Sequence, residues 1–297
     1  MDINAFLCGR NVREIRVGQS GADVYEIDGE MILKHVRRDA LEGDKFDTYS
    51  REALFYQEKS QKGCSYIPEI MDAEVTEDEI TILMRKYDMP ALTDVDDQML
   101  DRIADLLAHI HYDEIPSFLK GADDEMKLMT DDEISQCLNG WKSVFDEHPG
   151  AFDMSPLEEV AAKINEIISW HATEKCVMTH GDFHRENLLT DGSRALLICD
   201  WQGVKVAGES EDLSFFMSRL SADGIKIDPK SFASKYSEAA LKLTGEKADP
   251  ELILKHIDAA NVITTFMYWH YFLHGNPEER VREVYDKMMT DARNSGV

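Results

Sequence analysis

The sequence predicts an α+β protein with a smaller, strand-rich N-terminal part and a larger helical C-terminal part. Three observations carry this. Short β-favouring runs crowd residues 12–36 and 70–84, with one helical pattern between them. Beyond about residue 87, apolar residues recur at helical spacing in one segment after another. A single stretch, residues 176–200, breaks the helical part with β-like character. The 297 residues suffice for one large domain or two modest ones. The change of pattern divides them into 1–86 and 87–297.

The first two expected strands, residues 12–17 and 24–27, are separated by Gly18-Gln19-Ser20-Gly21-Ala22-Asp23. Asp28-Gly29 tolerates the positive φ angles of a tight hairpin turn, so residues 31–36 form the returning strand. Residues 50–59 follow as a helix with Leu54, Phe55 and Glu58 spaced for one face. Residues 70–75 and 79–84 are two more strands. In the C-terminal part, residues 98–111 place Leu100, Ile103, Leu107 and Ile110 on an amphipathic period. Residues 156–171, 229–243, 250–272 and 277–289 read as helices, several with Pro at a first turn. No internal repeat, low-complexity tract or long linker interrupts the chain.

Composition narrows the function. With 43% hydrophobic and 30% charged residues, the chain has the make-up of a soluble globular protein. Its 32 Lys and Arg against 58 Asp and Glu leave a net charge of −26. That field repels nucleic acid and anionic membranes and suits a cationic partner. Residues 1–86 carry 18 acids and 12 bases, whereas residues 87–297 carry 40 and 20, so the acidic field belongs mainly to the helical part. For most of these carboxylates a solvated surface is a sufficient reading. No apolar run approaches the roughly 20 residues of a membrane span, and Met1-Asp2-Ile3-Asn4 does not open a signal peptide. The five cysteines are widely spaced without a C-x-x-C pair, which points to a reducing cytoplasm.

The chemistry concentrates in His180-Gly181-Asp182-Phe183-His184-Arg185-Glu186-Asn187, followed by two apolar runs around Asp191-Gly192 and then Asp200-Trp201-Gln202. Two apolar runs about such a turn predict a β-hairpin. Asn187 enters its first strand and Asp200 leaves its second, so both lie at the open end. Asp182 sits on the loop feeding that end. An amide oxygen and a carboxylate there suit Mg²⁺, a hard cation that keeps waters and phosphates in its shell. A carboxylate not committed to metal can orient a hydroxyl and accept its proton. His180 and His184 also form an H-x-x-x-H pair, but Gly181 and the hairpin argue against the helix such a metal pair needs.

The segment His180 to Asn187 with Asp200-Trp201 resembles the aminoglycoside phosphotransferase and choline kinase-like superfamily. That resemblance implies a bilobal protein-kinase-like fold and phosphoryl transfer to a small molecule. Residues 1–86 are then the nucleotide-binding lobe, and residues 87–297 the helical lobe with catalytic loop and acceptor site. It assigns Asp182 as the catalytic carboxylate and Asn187 and Asp200 as Mg²⁺ ligands. Lys34 becomes the phosphate-binding lysine, Glu52 its partner, and Gly18, Ser20 and Gly21 the loop over the phosphates. Met84 and Tyr87 fall where the family meets the adenine. His180 supports the loop, and Asp212, in Glu211-Asp212-Leu213, braces it. Alone, Lys34 is an ordinary strand lysine and Gly18 with Gly21 an ordinary turn; their shared order with the hairpin motif gives them weight.

The chain departs from protein kinases in having Asp200-Trp201-Gln202-Gly203 for Asp-Phe-Gly, no G-x-G-x-x-G loop and no Ala-Pro-Glu segment. Gln202 is a position that could face the substrate. The resemblance implies ATP or GTP as donor and a small hydroxylated acceptor, with a cationic one such as an aminoglycoside suiting the acidic field. Choline, sugars and other metabolites remain alternatives, as does an inactive kinase-like binding protein. The aromatic run Phe266, Tyr268, Trp269, Tyr271 and Phe272 is either a core stripe or an acceptor wall.

Overall fold

Alternating apolar positions in the N-terminal part build one five-stranded antiparallel sheet. The computed structural model describes residues 3–15, 21–41, 43, 45–90, 95–121, 127–192 and 195–296. Within these, β1 (Val12–Glu14), β2 (Asp23–Ile27), β3 (Met31–Arg37), β4 (Ile70–Val75) and β5 (Glu79–Arg85) pair in the order β1-β2-β3-β5-β4. The β2–β3 turn is tight because Asp28 and Gly29 both take positive φ, 54° and 76°. The first strand ends at Glu14, short of the expected residue 17. Residues 16–20, and with them Gly18, Gln19 and Ser20, lie outside the described residues.

Strand alternation gives the sheet two apolar faces. Ile27, Leu33 and Leu83 pack with Ile3, Phe6 and Leu7 of the short helix α1 (Ile3–Leu7). Val36, Ile80, Ile82 and Met84 face the other way, toward Phe46, Tyr49, Ala53, Phe55 and Tyr56 of α2 (Lys45–Gln61). This helix begins five residues before the expected residue 50.

The C-terminal part contains α3 (Asp97–His111), α4 (Asp131–Asp146), α5 (Ser155–His171), α6 (Ser210–Ala222), α7 (Pro229–Thr244), α8 (Pro250–Leu273) and α9 (Glu278–Ser295). Local chemistry sets their ends. Asp96 accepts a hydrogen bond from the Met99 N–H at 2.8 Å, and Thr130 with Glu133 closes a capping box on α4. Asp228-Pro229 and Asp249-Pro250 start α7 and α8, each with the Asp side chain accepting from the backbone and Pro in the first turn. Each such cap contributes about 0.5–2 kcal/mol.

The β-like interruption resolves into two small sheets. β6 (Cys176–Thr179) pairs with β9 (Lys205–Gly208), and β7 (Leu188–Leu189) with β8 (Leu197–Ile198). One core runs from the inner sheet face through α2 and α3 to Phe183, Ile198, Trp201 and α6. A second is enclosed by α4, α5, α8 and α9 around the fully buried Trp141. Among the described residues no helix is long and apolar enough to cross a membrane.

Helix α4 crosses α8 closely at Gly140, where an added Cβ would stand 2.1 Å from the His270 ring. In an open helix Gly→Ala stabilises by about 1 kcal/mol. Here Gly140→Ala should instead destabilise by about 1–3 kcal/mol through overpacking, measured by urea unfolding. A stabilised variant would show that the two helices can part freely.

Candidate active site

The site begins with a buried lysine. Lys34 lies opposite Ile82 in the β3–β5 pairing, on the sheet face turned to α2. Its Nζ donates to Glu52 Oε2 at 2.6 Å and to Asp200 Oδ1 at 3.1 Å. Burial works against the ammonium, but the two carboxylates more than offset it and hold Lys34 above its ordinary pKa. Glu52 is only 1% exposed, in the α2 turn that rests on the sheet. Tyr56, one turn on, uses its hydroxyl to accept the Asp200 N–H at 3.2 Å.

Asp200 is one of two non-glycine residues among those described with positive φ, at φ 67° and ψ 63°. Such a conformation costs on the order of 1–3 kcal/mol and persists where surrounding packing imposes it. Here Trp201 is fully buried, stacked on Phe55 at 3.9 Å, and donates its indole N–H to the Ile198 carbonyl at 3.1 Å. The Asp200 carboxylate is thereby turned toward Lys34 and stays 38% exposed. Gln202 does not stand free for a ligand; its amide donates to Asp200 Oδ1.

The hairpin brings the other oxygen groups to the same end. Leu188 pairs with Ile198, and one step further the Cys199 N–H donates to the Asn187 carbonyl at 3.0 Å. Asn187 and Asp200 therefore flank the open end. The Asn187 Nδ2 donates to the Asp182 carbonyl at 2.9 Å and lies 3.4 Å from Asp182 Oδ2. With the amide nitrogen so used, the amide oxygen is the donor Asn187 offers to a cation. The Asp182 side chain is 45% exposed. The His184 ring, with Nε2 3.4 Å from Asp182 Oδ2, is the largest influence holding Asp182 below the usual carboxylate range, against partial burial.

The loop carrying Asp182 is clamped from behind. Asp212 of α6, fully buried, accepts the His180 N–H at 2.7 Å and the Gly181 N–H at 2.9 Å. Burial alone would raise its carboxyl, but His111 at 3.2 Å and these backbone donors hold it low. His180, itself fully buried, donates from Nε2 to the Cys199 carbonyl at 3.0 Å and accepts the Asp182 N–H on Nδ1 at 3.2 Å. One ring thus ties the loop to the hairpin. His180 and His184 are not aimed at a common metal; each serves the loop separately. Gly181 has φ 77°, and a Cβ there would stand 2.1 Å from the Gly203 carbonyl. Only glycine lets the loop pass so close to the Asp200–Gly203 segment.

Among the remaining expected residues, Met84 is buried opposite Ile32, on the face that carries Lys34. The Tyr87 hydroxyl accepts the Glu69 N–H at 3.4 Å, so its side chain leans toward that backbone. Gly21 lies against Leu41, whose Cδ2 would stand 2.4 Å from an added Cβ. Gly18 and Ser20 are outside the described residues. Three participants escaped sequence reasoning, Tyr56, His111 and Tyr236, the last 2.8 Å from His111 Nδ1; the sequence marks His184 only as half of a metal pair, not as the neighbour of Asp182. Tyr56 had a signal, since it follows Glu52 at the i+4 spacing of one helix face. His111 and Tyr236 had none, because His111 meets Asp212, and Tyr236 meets His111, only through tertiary packing.

Comparisons with known proteins bear on the family and the fold. Residues 11–249 match the phosphotransferase enzyme family (APH). No curated protein sequence matches the chain. Among solved structures, the ADP-bound aminoglycoside phosphotransferase APH(2'')-Ib superposes with a TM-score of 0.61 at 16% identity, covering 99% of this chain and 97% of that one. The GDP complex of aminoglycoside 2'-phosphotransferase-IIIa gives 0.60 at 15% identity, covering 99% and 97%. The Plasmodium vivax ethanolamine kinase gives 0.59 at 11% identity, covering 100% and 84%. These likenesses establish the bilobal kinase-like fold, and the match over most of its length shows that the chain belongs to the phosphotransferase enzyme family, as a small-molecule kinase.

Proposed function

We propose that the chain is a Mg²⁺-dependent kinase that moves the γ-phosphoryl group of ATP or GTP to a hydroxyl of a small, cationic acceptor. The observation that carries this is one continuous set of contacts. Lys34 touches Asp200, Asp200 neighbours Cys199 bonded to Asn187, and Asn187 is bonded to Asp182. Residues 1–86 would hold the nucleotide and residues 87–297 the catalytic loop and acceptor. The mutual hydrogen bonds of Asp88 and Thr190, at 3.3 and 2.8 Å, pin the connection between them to the hairpin.

The donor set fits Mg²⁺: one amide oxygen from Asn187 and the partly exposed carboxylate of Asp200 are hard ligands that leave room for waters and phosphates. Bound there, the cation would neutralise charge on the β- and γ-phosphates. Lys34, kept charged and fixed by Glu52, would bind the α/β-phosphates. Gly21, with Gly18 and Ser20, would border them, and Met84 and Tyr87 the base. Asp182 would orient the acceptor hydroxyl and take its proton as the O–P bond forms and the bond to the β-phosphate oxygen breaks. His180 and Asp212 would hold the loop so that Asp182 stays in place. Because the transition state is loose, positioning and charge neutralisation supply most of the acceleration.

The charge of −20 over residues 87–297 supports a cationic acceptor. Two of the compared structures are complexes of APH(2'')-IIa, one with streptomycin and ATP and one with gentamicin. Nucleotide consumption across a panel of aminoglycosides, amino alcohols and sugars tests the reading. Amines should be turned over and neutral sugars not; turnover confined to sugars would overturn the acceptor class.

Asp182→Asn should lower kcat by about 10²–10⁴ while leaving MgATP affinity within a few fold. Full activity in that variant would remove Asp182 from the chemistry. In calorimetry, Asp200→Ala should lose Mg²⁺-dependent nucleotide binding, and unchanged binding would contradict its role as ligand.

A further inference from the structure

A second group of metal-ligand side chains lies outside the nucleotide cleft. His171 closes α5, Glu174 precedes β6, and His256 stands on α8; all three are buried, at 7%, 9% and 3% exposure. One ligand atom from each lies within 4.8 Å of the other two. The Nδ1 atoms of both His171 and His256 are buried without a hydrogen-bond partner among the described residues. A buried ring nitrogen left in that state costs about 1–3 kcal/mol, and here it occurs twice in one place.

The carboxylate is placed with care. Glu174 accepts the Ser210 N–H on Oε1 at 2.8 Å and the Ser210 hydroxyl on Oε2 at 2.7 Å. Among the described residues no Lys or Arg pairs with it; its nearest basic atom is His171 Nδ1, at 3.9 Å from Oε2. Gly208 makes room for it, since a Cβ there would stand 2.0 Å from Oε2. Trp170 stacks on the His256 ring at 4.2 Å and fixes its plane.

We infer that His171, Glu174 and His256 form a binding site for a divalent transition ion of the zinc class. Two imidazoles and one carboxylate are a set that zinc takes and that Mg²⁺ and Ca²⁺, which want oxygen, do not. Ligands about 2.0–2.2 Å from a tetrahedral zinc stand about 3.4 Å apart, so binding would draw His171 Nδ1 and Glu174 Oε2 together from 3.9 Å and the rest of the set from as much as 4.8 Å. The two Ser210 contacts orient the carboxylate from outside the ligand set, as outer partners in metal sites do. An ion there would bind the end of α5, the start of β6 and α8 together. Through Ser210 it would also reach the N-terminus of α6, the helix whose Asp212 clamps the catalytic loop. The site is thus a structural clasp behind the active site.

The test is calorimetric titration of Zn²⁺ into the tag-free, chelator-stripped full chain, with Co²⁺ as a visible-absorption probe. One equivalent should bind, and the thermal unfolding midpoint should rise. His171→Gln and His256→Gln, checked for folding by circular dichroism, should weaken binding by about 100-fold or more, and Ser210→Ala by about 10–100-fold. Asp200→Ala, in the nucleotide cleft, should leave it unchanged. X-ray absorption of the zinc-loaded wild type should show two imidazoles with oxygen and no sulfur, and this holds even if the variants fail to fold. No stoichiometric binding, a sulfur ligand, or binding lost only in Asp200→Ala would overturn the proposal.

Discussion

An ammonium buried between two carboxylates organises this molecule: Lys34 from the sheet, Glu52 from α2 and Asp200 from the end of the hairpin. Each group lies on a different element, and neither Lys34 nor Glu52 is tolerable alone in its buried place. Removing either member of the buried Lys34–Glu52 pair costs about 3–5 kcal/mol, because the remaining charge loses its compensation. The sheet, the helix and the hairpin are therefore held to one relative position by electrostatics as well as by the shared apolar core. Replacing the set with packed hydrocarbon could be equally stable. Its presence makes sense as a device that keeps a positive charge ready where phosphate would bind.

The hairpin end needs a second anchor, because Asp200 sits in an unfavourable backbone conformation. That anchor is apolar. Trp201 stacks on Phe55, one turn of α2 beyond Glu52, while Tyr56 accepts the Asp200 N–H. On the far side, Asp212 satisfies two backbone donors of the loop at once, and His180 ties the same loop to Cys199. The partly exposed groups, Asp182 and Asp200, are thus carried by fully buried supports. A site of this type gains its precision from the second layer.

Much of this was legible in the sequence because the signals were local. The apolar runs around Asp191-Gly192 and the Asp28-Gly29 turn announced hairpins, and the hairpin alone placed Asn187 and Asp200 at one end. The α2 pattern was found but its first turn was not, since Lys45 to Tyr49 reads as polar apart from Phe46 and Tyr49, whose burial is imposed by the sheet. Helices α4 and α6 were missed for related reasons: α4 opens in an acidic run and contains Gly140, and α6 follows directly on β9. The aromatic run of α8 divides in a way spacing did not reveal. Phe266 is fully buried in the second core, whereas Tyr268, Tyr271 and Phe272 are exposed. The bracing by His111 and Tyr236 depends on helices far apart in the chain meeting at Asp212, which no local pattern encodes.

In the proposed mechanism Asn187, Asp200 and Lys34 together form one cation and phosphate site. It is tested most directly by the anomalous scattering of Mn²⁺ in crystals grown with a non-hydrolysable ATP analogue. A peak is expected within direct ligand distance of both the Asn187 amide oxygen and the Asp200 carboxylate, with Lys34 Nζ on the nucleotide phosphates. A well-ordered nucleotide whose Mn²⁺ touches neither residue would contradict it.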